Sequence, residues 1–128
     1  MLAHVSIGVK DIAASKRFYD EALRPLGYRC VRAARSAEGY GYGTDTIFFW
    51  ITSVPRPVAP DDGSGLHFCF AAPTRAAVDA FHAAALRAGG RDNGAPGLRP
   101  IYAPDYYAAF VIDPDGYRIE AYHGPGEK

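Results

Sequence analysis

His4, His67 and Glu120 are the residues of this chain whose types could act together on a small molecule. Each histidine opens an apolar run, and the glutamate sits in the middle of a third run over 117–123. A carboxylate inside a strand is rarely buried alone, because desolvating the charge is costly, so Glu120 calls for a cation, a proton or solvent. Two imidazoles and one carboxylate form a donor set for Fe, Mn, Ni, Co or Zn, since neutral imidazole suits borderline metals and the carboxylate supplies charge. Three protein ligands would leave coordination positions open for water or a chelating substrate. An isolated strand histidine is more simply a core imidazole bonded to backbone, so the weight rests on the three arriving together.

An internal repeat gives that convergence a basis. At an offset of 63 residues His4 falls on His67, and Ala14, Phe18, Ala22, Leu23 and Gly27 fall on Ala77, Phe81, Ala85, Leu86 and Gly90. Two copies are too few for a solenoid, so two fused modules are expected. In each, a short strand (5–9 or 66–71) leads to an N-cap, Asp11 or Thr74, whose side-chain oxygen can accept free N–H groups of a first helical turn. Helices are predicted over 12–23 and 75–88, with Gly89 and Gly90 ending the second. Strands follow over 28–35, 39–43 and 46–52, and again over 92–98, 106–113 and 117–123. Asp113-Pro114-Asp115-Gly116 is a strong hairpin turn, and the Pro- and Gly-rich stretch 53–65 reads as a linker. The expected class is therefore α+β, two tandem βαβββ modules. They form one domain: module one 1–52, linker 53–65, module two 66–123 and a tail 124–128.

Strand alternation places the donors. His4, Ser6 and Gly8 share a face opposite apolar Val5, Ile7 and Val9; His67, Cys69 and Ala71 share one opposite Phe68 and Phe70; Arg118, Glu120 and Tyr122 lie together opposite Tyr117, Ile119 and Ala121. The apolar faces should pack on helices and the others should line a cup. Laying Asp115 on Asp45 sets Trp50 opposite Glu120 in the repeat, an apolar wall where a fourth ligand could have stood. Tyr40, Tyr42, Tyr102, Tyr106 and Tyr107 are candidates for flat amphipathic walls, with Tyr102 and Tyr107 favoured beside Trp50 as substrate contacts. Arg118 could hold an anionic group through its guanidinium fork.

Net charge is zero, with 14 basic and 14 acidic residues, which gives no electrostatic footprint for nucleic acid or an anionic membrane. No leader-like segment opens the chain, and no apolar run approaches the roughly 20 residues that span a bilayer. A cytoplasmic protein is expected, with Cys30 and Cys69 as reduced thiols buried in strands.

His4 at the head of its strand, Ser15-Lys16-Arg17-Phe18-Tyr19, His67 and Asp113-Pro114-Asp115-Gly116-Tyr117-Arg118-Ile119-Glu120 together resemble the vicinal-oxygen-chelate superfamily. That superfamily includes glyoxalase I, extradiol dioxygenases, fosfomycin-resistance proteins and bleomycin-resistance proteins. The resemblance implies a cup-shaped half-barrel sheet around a metal, usually in a dimer, with His4, His67 and Glu120 matching the family's ligand positions. The sequence departs from glyoxalase I in carrying Trp50 where that enzyme has a fourth ligand. Two functions are implied. One is a divalent-metal enzyme using Glu120 in lyase, isomerase or dioxygenase chemistry on a substrate with vicinal oxygens. The other is a metal-free, small-molecule sequestering protein of the bleomycin-resistance type. A homodimer is expected for either, since exposed sheet edges of this architecture need covering.

Overall fold

The structure is a computed structural model that describes residues 1–34 and 38–124. Module one contains β1 (Val5–Val9), α1 (Ile12–Leu23), β2 (Arg29–Ala33), β3 (Gly39–Gly43) and β4 (Ile47–Ser53). Module two contains β5 (His67–Ala71), α2 (Arg75–Arg87), β6 (Arg91–Leu98), β7 (Tyr107–Ile112) and β8 (Arg118–His123). Each forms a four-stranded sheet, ordered β1-β4-β3-β2 and β5-β8-β7-β6, with its first strand parallel to its last. The two tandem βαβββ modules of the α+β reading are therefore present.

Local sequence explains the helix starts. The Asp11 carboxylate accepts the Ala14 N–H at 3.1 Å, and the Thr74 hydroxyl accepts that of Ala77 at 3.0 Å. The first helix continues into a 3-10 turn over Arg24–Leu26, then stops at Gly27, whose φ of 89° favours glycine. In the second module the counterpart with positive φ is Gly89 (103°), one residue before the glycine that the repeat aligns with Gly27. The linker is not wholly irregular: a short 3-10 turn spans Asp62–Ser64. β2 is shorter than the 28–35 run, whose last residue lies outside the described residues, as do 125–128 of the tail. β6 keeps Pro96 because it is an edge strand with register shifts around Gly94.

The apolar strand faces meet the helices in a single core. Phe18, Tyr19, Leu23, Phe49 and Ile51 of module one join Phe70, Val78, Phe81, Val111 and Ile119 of module two. Phe49 and Phe70 meet edge to face across the modules, their ring centroids 5.3 Å apart. Polar bonds reinforce this seam at the β7–β8 turn. Tyr19 donates to Asp113 at 2.6 Å, the Lys10 N–H donates to Asp115 at 2.9 Å, and the Tyr117 hydroxyl donates to the Gly8 carbonyl at 2.8 Å. Packing the modules through helices and apolar faces leaves β1 and β5 as edge strands of separate sheets. Among the described residues no helix is long and apolar enough to cross a membrane.

Candidate functional site

Pairing within module two brings its polar residues together. His67 stands opposite Arg118 and Cys69 opposite Glu120 in the parallel β5–β8 ladder, while Phe110 faces Glu120 from β7. With period-2 alternation these side chains share the face away from α2. His67, Phe110, Arg118 and Glu120 line a cavity of about 820 Å³ whose wall also includes Tyr102, Tyr106 and Tyr122, and whose lining comes entirely from residues 65–122.

Glu120 is the floor of this cavity and is only 3 % exposed. Its Oε1 lies 3.2 Å from His67 Nε2, and its Oε2 accepts the Tyr106 hydroxyl at 2.5 Å. Both carboxylate oxygens are thus engaged, as a buried charge requires. Burial, then the bond to Glu120, hold the Tyr106 hydroxyl well above the ordinary phenol range, so at neutral pH it keeps its proton and remains a donor. Tyr106 in turn stacks on Tyr122 at 4.3 Å and meets Tyr102 at 5.1 Å, forming an aromatic wall.

The remaining expected residues lie elsewhere. His4 is exposed just before β1, and Trp50 is in β4 beside Ser6 and Gly41; neither lines the cavity. Their repeat relation is visible in the register: Ser6 pairs with Trp50, and Cys69, 63 residues further on, pairs with Glu120. Tyr107, expected among the substrate contacts, does not line this cavity. It points to the helix side, donating to Asp79 at 2.6 Å with Arg75 over its ring at 5.1 Å. Tyr42 is fully buried under α1 and bonded to Asp20, and Tyr40 lies beneath Lys16, so neither lines the cavity. Cys69 is exposed rather than buried because it shares the edge-strand face of His67. Phe110, Asn93, Leu66 and Ile101 also line the cavity without having been singled out in the sequence. Phe110 had a readable signal: a tight Asp113–Gly116 turn sets it across from Glu120.

A metal tests this donor set. Ligand atoms about 2.0–2.2 Å from one ion stand roughly 2.8–3.6 Å apart at octahedral to tetrahedral angles, and the 3.2 Å between His67 Nε2 and Glu120 Oε1 falls in that interval. Two donors do not make a site, however. Among the described residues no group of three or more His, Cys, Asp or Glu side chains is placed to hold a metal ion.

Comparisons with known proteins agree with the architecture. Residues 1–121 match the model of the Glyoxalase/Bleomycin resistance protein/Dioxygenase superfamily, and the chain belongs to that family. Its structure is similar to a glyoxalase/bleomycin resistance protein from Albidiferax ferrireducens T118, with 36% identity and a TM-score of 0.80, covering 96% of this chain and 98% of that one. A glyoxalase-related enzyme from Fulvimarina pelagi shares 23% identity with a TM-score of 0.74, over 98% of this chain and 88% of the other. Fosfomycin Resistance Protein FosX from Mesorhizobium loti shares 18% identity with a TM-score of 0.68, over 97% and 92%; these last two likenesses are of fold. Among the curated proteins no sequence matches.

Proposed function

We propose that the protein is a divalent-metal enzyme for a small substrate with neighbouring oxygens, and that its site forms between two copies of the chain. His67 and Glu120 of one copy and His4 of a second would hold the ion, which is Fe, Mn, Ni, Co or Zn, and Trp50 of the second copy would close the cavity. The observation that carries this reading is the buried Glu120 carboxylate, 3.2 Å from a cavity histidine whose side chain is itself 51% exposed. His4 lies just before β1, an edge strand of the other sheet, and both β1 and β5 are open edges, so a second copy is the natural source of the third donor.

When bound, the metal supplies Lewis acidity for an oxyanionic or enolate-like charge on the substrate. The chain's own residues do the rest. Tyr106 fixes one oxygen of Glu120 and keeps its own proton. His67 meets the other oxygen, and Arg118 lines the cavity where it can meet an anionic group. Burial of Glu120 shields its carboxylate from water and strengthens its electrostatics.

The test mixes two inactive variants, His4→Ala and Glu120→Ala, and reads metal stoichiometry. Each alone should bind no metal. A mixed pair should regain one site in two, because one cavity then has His4 from one copy and Glu120 from the other. Metal retained by either variant, or no recovery on mixing, would sink the shared site. No metal bound by the unmodified protein under any condition would leave a metal-free ligand-binding protein instead.

A further inference from the structure

We infer that the cavity takes a planar aromatic carboxylate, its ring on the Tyr102–Tyr106–Tyr122 wall and its carboxylate toward Asn93 and Arg118; this rests on the cavity being the functional site. Tyr102 is 64% exposed and Ile101 86% exposed at the cavity mouth. Tyr106 meets the Tyr102 ring on one side at an interplanar angle of 59°. Such apolar exposure at a concave mouth is the signature of a binding surface.

The loop that carries these two residues is held by its own backbone. Arg99 N–H donates to Tyr106 O at 2.7 Å, Tyr102 N–H to Arg99 O at 2.9 Å and Tyr106 N–H to Ala103 O at 3.2 Å. Tyr102 is therefore presented from a closed turn, and a ring stacking on it orders little additional chain. The polar end follows from the chemistry of the side chains in the wall. Glu120 is the cavity's carboxylate, and both its oxygens already face His67 and Tyr106. Among the residues of the wall, Asn93 and Arg118 carry side-chain N–H donors. A ligand group that accepts several hydrogen bonds fits them, and a carboxylate does so with a guanidinium bidentately.

Benzoate and cyclohexanecarboxylate carry the same charge on six-membered carbon rings and differ in planarity. Titrated into chelator-treated protein and followed by NMR, benzoate should bind about 2- to 12-fold more tightly, the range aromatic stacking supplies beyond area. Tyr102→Leu keeps apolar bulk on an exposed loop and should erase that preference while leaving cyclohexanecarboxylate unchanged. Equal affinity of the two acids, a preference that survives Tyr102→Leu, or no binding of either overturns the proposal. Metal uptake with no ring preference would overturn it and leave the metal reading standing. Ring preference in a protein that takes up no metal would do the reverse.

Discussion

Tyr106 and Tyr107 are adjacent, with identical side chains and opposite surroundings. Tyr106 donates to a carboxylate that is 3 % exposed, whereas Tyr107 donates to Asp79 at the surface. Removing a hydrogen bond to a buried charged group costs about 1.5–3 kcal/mol, so Tyr106→Phe should lower stability by that amount in urea unfolding. Tyr107→Phe should change it by less than about 0.5 kcal/mol. Equal effects would contradict the assignment of Tyr106 as the support of Glu120. At this scale the sequence was legible as far as strand parity reaches. Parity set His67 and Glu120 on one face and Arg118 beside them. It also separates Tyr106 from Tyr107, but only once the strand's pairing is known, because a one-residue slip moves every side chain to the other face.

The Asp113–Gly116 turn is an element whose role exceeds its hairpin signature. Asp113 is 2 % exposed; its Oδ2 accepts from Tyr19 at 2.6 Å and its Oδ1 from the N–H groups of Asp115 and Tyr117 at 2.9 and 2.8 Å. Burial raises its pKa to about 6, against the opposing pull of these donors. Between the ordinary value of 3.8 and about 6 the folded protein therefore holds a proton that the unfolded chain has lost. The sign follows: this group's contribution to stability is present below that interval and is lost as pH rises through it. Asp113→Asn removes the titration, so the difference in melting temperature, native minus variant, should fall between pH 4 and 7; a constant difference would refute the buried titration. The end of α2 gives a second element-scale expectation. A Cβ at Gly90 would lie 2.6 Å from Phe18 Cε1 and 2.9 Å from the Ala85 carbonyl, whereas Gly89 has open space and a φ of 103°. Gly90→Asn should cost about 1–3 kcal/mol through overpacking. Gly89→Asn should cost less, since asparagine tolerates the left-handed region. Thermal unfolding that ranks them the other way would contradict this division. The sequence repeat aligned Gly27 with Gly90, yet the conformational counterpart is Gly89. A side-by-side alignment does not record the 3-10 turn that lengthens the end of α1.

The relation between the two sheets was the part of the molecule least legible in the sequence. A repeat fixes strand pairing inside each module, but Tyr19–Asp113 and Phe49–Phe70 are contacts between modules that no periodicity encodes. Their effect is that His4 and Trp50 do not line the cavity that holds His67 and Glu120. If a second copy supplies His4, metal binding and self-association must be coupled, and the coupling is reciprocal. Metal at 100 times its dissociation constant then adds about 2.7 kcal/mol of dimer stability per shared site, or about 100-fold in the dimer dissociation constant. Sedimentation of dilute protein should show chelator shifting dimer toward monomer and Mn(II) or Zn(II) restoring it. Glu120→Ala should not respond to either addition. A monomer that binds one ion at full affinity, or a dimer indifferent to chelator, would place the third ligand inside the chain or remove the metal from the function altogether.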